Sequence, residues 1–82
     1  MGRVVPSVKL ELTCLDAASC EVAFEPEGTV VTLKREDVIS VEIRGPGTGI
    51  LEVSHRPDGI SIGAWSRGDS FAWDKSGRQL RI

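Results

Sequence analysis

Apolar and polar residues alternate along almost the whole chain. The alternation has a period of two, as in Leu10, Glu11 and Leu12, and it recurs in most segments between the glycines and prolines. A period of two places successive side chains on opposite faces of a β-strand. The pattern therefore predicts strands throughout the chain. The predicted strands are Val8–Cys14, Cys20–Pro26, Thr29–Lys34, Val38–Arg44, Ile50–His55, Ile60–Trp65, Phe71–Asp74 and Arg78–Ile82.

Turn-forming residues separate these predicted strands. Residues 27–28 (Glu-Gly) suit a two-residue hairpin turn, and residues 56–59 (Arg-Pro-Asp-Gly) have the proline and glycine positions of a type I turn. Residues 67–68 (Arg-Gly) predict a third tight turn. Strands that are adjacent in the chain are therefore predicted to be neighbours in the sheet.

The turns also predict the register of each hairpin. The turn at residues 27–28 sets Val22 opposite Leu33, and the turn at residues 56–59 sets Val53 opposite Ile62. All the predicted hairpins pair apolar with apolar residues, which is how a half-buried sheet specifies its register. The predicted apolar face consists of Leu10, Leu12, Cys14, Cys20, Val22, Phe24, Val31, Leu33, Ile39, Val41, Ile43, Leu51, Val53, Ile60, Ile62, Ala64, Phe71 and Trp73.

That apolar face needs a cover, and no segment predicts a helix that would supply one. We therefore predict a single all-β domain over residues 1–82, with residues 1–7 as a flexible N-terminal segment. The predicted architecture is an antiparallel up-and-down meander of seven or eight short strands, curled into a small barrel or a half-open barrel or sandwich. Closure of the barrel would require residues 78–82 to pair with the first strand.

Composition and charge narrow the classes of function. The 82 residues are 40% hydrophobic and 27% charged, with a formal net charge of −2 and a pI of about 5.3. An acidic chain does not supply the basic surface that duplex nucleic acid or an anionic membrane requires. No apolar stretch approaches the roughly 18 residues of a membrane span, and residues 1–6 lack the apolar core of a signal peptide. We therefore expect a cytoplasmic protein.

The two cysteines, Cys14 and Cys20, are the first candidates for chemistry. They flank a five-residue loop at matched positions of a predicted hairpin, within reach of a disulfide. Two reduced, buried thiols are the alternative, and the one expected in the cytoplasm. A zinc site completed by His55 is a third interpretation, although the spacing of the cysteines is not that of a zinc motif. We expect no metal and no other cofactor.

Trp65 is the leading candidate for a binding residue. The predicted register points Phe71 and Trp73 inward and leaves Trp65 facing solvent, whereas a turn over Ser66–Ser70 would place all three aromatic side chains on one face. An exposed tryptophan marks a surface that binds a protein, a sugar or a single-stranded nucleic acid. Basic residues of the C-terminal third would surround it. The predicted binding residues are Trp65, Arg67, Arg56 and Lys75.

The predicted function follows from these candidates. No nucleophile, base and orienting group share a face, so we predict no catalytic residues and a protein that is not an enzyme. We expect a protein-interaction module: an inhibitor, an immunity-type partner, an accessory subunit or a homo-oligomer building block. Edge strands of an unclosed barrel would serve a protein partner or self-association. The alternative is a barrel that binds a small ligand or single-stranded nucleic acid through Trp65 and its basic neighbours.

Overall fold

The structure is a computed structural model that describes residues 5–47 and 49–82. Those residues form eight β-strands, each overlapping one predicted strand with ends that differ by at most two residues. Within these ranges there is no helix that is long and apolar enough to cross a membrane. Part of the predicted flexible segment, residues 1–4, lies outside the described residues. The strands are β1 (Ser7–Thr13), β2 (Ser19–Glu25), β3 (Thr29–Lys34), β4 (Val38–Arg44), β5 (Glu52–Arg56), β6 (Gly59–Gly63), β7 (Asp69–Asp74) and β8 (Gln79–Leu80).

The strands form two four-stranded sheets that enclose a shared core. Sheet A has the strand order β1-β4-β7-β8, and sheet B has the order β3-β2-β6-β5. Neighbouring strands are antiparallel, except that β2 and β6 run parallel. The prediction of an all-β domain is confirmed. The barrel does not close, because β8 pairs with β7 while β1 pairs with β4, and the architecture is a sandwich.

The predicted meander holds for three connections and is wrong for the other four. The hairpins β2–β3, β5–β6 and β7–β8 join neighbours of one sheet. The connections β1–β2, β3–β4, β4–β5 and β6–β7 instead cross from one sheet to the other. Each crossing brings the apolar face of the next strand against the opposite sheet, so both sheets bury one face in a common core.

The predicted register is confirmed for the hairpin β5–β6. Val53 pairs with Ile62 and His55 pairs with Ile60, as the turn at residues 56–59 predicts. Proline at the second position of that turn and glycine at the fourth fix the loop length, and the loop length fixes the register.

The register of the hairpin β2–β3 is shifted by two positions. Val22 pairs with Val31 and not with the predicted partner Leu33. The loop holds four residues, 25–28, where the prediction had two, and it ends at Gly28 with a positive φ of 77°. A shift of two positions keeps every side chain on its predicted face, so the apolar face of this hairpin is preserved.

The residue of β7 that lies in the core is not one of the two that were predicted. Ala72 is buried, whereas the predicted core residues Phe71 and Trp73 point outward. The reason is that β7 pairs with β4, where Ala72 lies opposite the buried Val41 and shares its face. The buried core residues are Cys14, Val22, Phe24, Leu33, Ile39, Val41, Ile43, Ile62, Trp65 and Ala72.

A disulfide joins Cys14 and Cys20 where the chain crosses between the sheets. Cys14 follows β1 and is fully buried, while Cys20 lies in β2, and their Cα atoms are 5.7 Å apart. The bond therefore connects sheet A to sheet B and not two neighbouring strands. Disulfides persist in oxidising compartments, whereas a cytoplasm keeps such thiols reduced, so the cytoplasmic location stays a prediction.

We expect reduction of this disulfide to lower the free energy of unfolding by roughly 2 kcal/mol, because opening a short loop restores entropy to the unfolded chain. Urea unfolding with and without reductant measures the difference. The double variant Cys14→Ser/Cys20→Ser is the control, since reductant has no bond to break in it. Equal unfolding midpoints for the oxidised and reduced protein would contradict a stabilising role.

We expect Gly59→Ala to lower the free energy of unfolding by about 1–3 kcal/mol, because a Cβ at Gly59 collides with the backbone carbonyl of Glu21 across the parallel pair. Gly63→Ala, on the same strand, is the matched control. A Cβ at Gly63 lies 3.9 Å from its nearest neighbour, so its effect stays within about 0.5 kcal/mol. Chemical denaturation distinguishes the two, and equal effects would argue against close contact of β2 and β6.

Candidate functional site

The outer face of sheet A carries two neighbouring aromatic side chains. Because Ala72 of β7 points into the core, Phe71 and Trp73 on either side of it point outward, and both are half-buried. Pairing with β4 places Glu42 opposite Phe71 and Ser40 opposite Trp73. We name this surface the aromatic face. It consists of Lys9, Glu11, Ser40, Glu42, Arg44, Phe71 and Trp73.

The aromatic side chains belong to an ordered stack. The ring centroids of Phe71 and Trp73 are 6.4 Å apart, and the ring planes are inclined by 27°. The guanidinium carbon of Arg44 lies 4.3 Å from the centre of the Phe71 ring, within the range of a cation–π contact. Arg44 Nε is also 3.3 Å from Glu42 Oε1. These contacts hold the rings in place without a ligand, which reduces the entropy lost on binding.

An open depression of about 470 Å³ lies beside this stack. Trp73 lines it together with Lys9 and Glu11 of β1 and with Ser40 and Glu42 of β4. An apolar ring therefore meets ammonium, hydroxyl and carboxylate groups within one concave surface. Such a surface can take an apolar side chain of a ligand and donate or accept hydrogen bonds around it.

The charges of the aromatic face balance one another. Lys9 lies opposite Glu42 in the strand pair β1–β4, and Arg44 contacts Glu42 directly. Glu11 adds a second carboxylate beside Lys9. A phosphate-binding stripe would need an excess of basic groups, and this surface has equal numbers of basic and acidic ones. The electrostatics favour a ligand that itself carries both signs.

In residues 5–47 and 49–82, no group of three or more His, Cys, Asp and Glu side chains is placed to hold a metal ion. The zinc interpretation required the thiols of Cys14 and Cys20, and the disulfide leaves neither as a thiolate. His55 is solvent-exposed on β5, beside Arg56 and Asp58 in a separate depression.

The structure does not bring the four predicted binding residues together. Trp65 and Arg67 follow β6, at the end of the sandwich where β4 ends and β7 begins. Arg56 and Lys75 lie at the opposite end, Arg56 as the last residue of β5 and Lys75 in the turn that follows β7. Arg56 donates to Ser61 Oγ at 3.3 Å, and Lys75 Nζ is 3.5 Å from Asp37 Oδ1. Binding by these residues stays a prediction, but they do not form one surface.

The expectation that Trp65 faces solvent is wrong. Its side chain belongs to the core, with an exposed fraction of 9%. Gly49 and Gly68 make room for it, because a Cβ at either position would lie 2.5 to 3.0 Å from a Trp65 atom. Trp65 follows the end of β6, where strand alternation no longer determines the direction of a side chain. Trp73, which is half-buried on the outer side of sheet A, is the tryptophan that points outward.

The outward direction of Phe71 and Trp73 had only a weak signal in the sequence. The segment from Phe71 to Trp73 is apolar at every position, so alternation allows either the aromatic pair or Ala72 to face the core. The paired strand resolves this ambiguity, because the polar residues Glu42 and Ser40 lie opposite Phe71 and Trp73. The strand pairing, β7 with β4, was the missing information.

Comparison with protein-family models, curated proteins and solved structures finds no match to this chain. The functional interpretation therefore depends on the geometry of the aromatic face and on the chemistry of its side chains.

The turn after Trp73 is fixed by a carboxylate. Asp74 Oδ1 accepts hydrogen bonds from the Ser76 N–H at 2.9 Å, the Ser76 hydroxyl at 2.6 Å and the Arg78 N–H at 3.0 Å. The hydrogen bond from the Ser76 hydroxyl, followed by that from the Arg78 backbone, lowers the pKa of Asp74. The ionised form of Asp74 therefore stabilises the hairpin β7–β8.

We expect the stabilisation from Asp74 to be fully present above the ordinary pKa of an aspartate and to be lost as pH falls through its lowered value. The sign follows from the lowered pKa, because the unfolded chain takes up the proton first. NMR titration measures the midpoint directly. Ser76→Ala removes the largest cause and should return the midpoint towards the ordinary value, and an unchanged midpoint would contradict this assignment.

Proposed function

We propose that this chain is a non-enzymatic protein-interaction module and that it binds its partner through the aromatic face. The observation that carries the proposal is the stack of Arg44, Phe71 and Trp73 on the outer side of a sheet. Aromatic and arginine side chains are the residues most often found as energetic anchors of protein interfaces. The solvent-facing side of a sheet is ordinarily polar. Two aromatic side chains on that side therefore indicate a surface that a partner covers.

The surroundings of the stack specify the chemistry of that partner. The depression beside Trp73 suits one apolar or aromatic side chain, and Lys9 and Glu11 on its rim suit an acidic and a basic neighbour. The proposed ligand is therefore a protein segment that carries an apolar side chain between charges of opposite sign. Rim charges of this kind contribute more to orientation and association rate than to affinity.

Single-stranded nucleic acid is the second candidate. Nucleobases stack on aromatic rings, and a guanidinium beside such a ring contributes a cation–π contact, as Arg44 does on Phe71. Glu42 and Glu11 oppose this candidate, because both carboxylates would lie close to the phosphates of a bound strand. The balance of charge favours the protein ligand.

The proposal is tested with peptides selected from a random display library on the immobilised protein. We expect the selected peptides to lose about tenfold or more in affinity for Trp73→Ala, because truncating an interface anchor removes most of its contact. Val30→Ala is the matched control, since Val30 is 48% exposed on β3 of the other sheet and should bind normally. Circular dichroism confirms that both variants are folded.

Peptides that bind Trp73→Ala as tightly as the original protein would overturn the proposal. A titration with single-stranded oligonucleotides at low salt addresses the second candidate. Binding that quenches tryptophan fluorescence, and that is lost with Trp73→Ala, would replace the protein ligand by nucleic acid.

A further inference from the structure

Strand β1 forms a long, regular edge of sheet A. Its seven residues pair with β4 in an uninterrupted register from Ser7 to Thr13. No strand of the described residues lies along its other side. Natural edge strands are commonly short, or interrupted by a bulge or proline, which prevents pairing with another chain. β1 has neither interruption, so its free backbone groups can accept a further strand.

The sequence of β1 is self-complementary when a second copy lies antiparallel to it. We propose that two copies of this protein pair through β1, with Leu10 on the two-fold axis. An isologous contact of this kind uses the same surface on both copies. The proposed register places Ser7 opposite Thr13, Val8 opposite Leu12, Lys9 opposite Glu11 and Leu10 opposite Leu10.

In this register, the charged side chains on the outer face are paired and the apolar side chains on the inner face are covered. On the outer face, each Lys9 meets Glu11 of the other copy, which gives two pairs of opposite charge across the axis. On the inner face, Val8 is 36% exposed in one copy, and Leu10 and Leu12 are only partly buried. The second copy would cover these side chains and extend the core of the sandwich.

Neighbouring registers are disfavoured by charge. A shift of two positions in one direction places Lys9 opposite Lys9, and a shift in the other direction places Glu11 opposite Glu11. Like charges directly opposite each other destabilise a strand pair. A shift of one position would place polar residues of one copy opposite apolar residues of the other. The alternation of β1 therefore selects a single arrangement of the two copies.

The other edge strands fit a second copy less well. β8 has two residues, and β3 offers no pair of opposite charge to a copy of itself. β5 does place Glu52 opposite Arg56 around Ser54, but it is shorter, and the same register pairs Val53 with His55. We therefore assign the contact to β1. The resulting sheet would have eight strands and would carry both aromatic faces on the same side.

The experiment measures the dimer dissociation constant by sedimentation equilibrium. The original protein should dimerise in a concentration-dependent way, because a strand-edge contact buries less area than a standard interface. Glu11→Lys should raise the dissociation constant about tenfold, since both opposite-charge pairs become Lys–Lys contacts. Glu11 lies opposite Ser40 within its own chain, so this change places no like charges directly opposite each other in the pair β1–β4.

Reversing the charges provides the decisive comparison. The double variant Lys9→Glu/Glu11→Lys again places opposite charges across the axis and should recover most of the lost affinity. Glu52→Lys makes the same charge change on β5 and should leave the dissociation constant unchanged. Unfolding curves establish that every variant keeps the fold of the monomer.

Three results would overturn the proposal. The first is a monomer at about 1 mM protein, where even a millimolar dissociation constant would be visible. The second is a double variant as weak as Glu11→Lys. The third is weakening by Glu52→Lys and not by Glu11→Lys, which would move the contact to β5. Peptide binding that depends on Trp73 is a separate measurement, so failure of this proposal leaves the proposed function standing or falling by its own test.

Discussion

Each sheet of this protein has one apolar face, and the opposing sheet is what covers it. The described residues contain no helix that could take that role, so the two sheets depend on each other for burial. In a chain of 82 residues the shared core is small. The fold therefore tolerates the loss of only a few core contacts. The connections that cross between the sheets and the disulfide at one crossing maintain this layer of contact, while the close approach of Gly59 to β2 joins the two hairpins of sheet B.

Local features of the sequence predicted the strands well and the pairing of strands only in part. Alternation and turn residues are local, so strand positions and the register of β5–β6 could be predicted from them. Whether a loop folds back into the same sheet or crosses to the other is not a local property. The connection from β3 to β4 shows why: pairing β4 with β3 or with β1 places Ile39 and Val41 on the inner face in either case. The hydrophobic pattern is satisfied equally, and packing of the whole chain decides.

The same ambiguity of the hydrophobic pattern prevented prediction of the aromatic face. The polar residues of β1 and β4 lie on an outer face, and Phe71 and Trp73 join them because Ala72 occupies the inner position of β7. A small side chain in the core and two large ones outside reverse the usual order of burial. That reversal is the observation on which the proposed binding surface depends. Trp65 shows the opposite case, since two glycines around it allow a loop residue to fill the core.

The parallel pair β2–β6 has a consequence for how the protein folds during synthesis. It unites two hairpins, β2–β3 and β5–β6, that are separated in the chain by a strand of the other sheet. Each hairpin can form early from its own residues, but sheet B exists only once they meet, and such distant pairings are made slowly. During synthesis, a chain released as far as β5 would have the hairpin β2–β3 and the pair β1–β4, but it would lack β6 and β7, which occupy inner positions of the two sheets. The buried residues Ile62 and Ala72 belong to those two strands, so the core stays incomplete and open to aggregation until β7 has emerged.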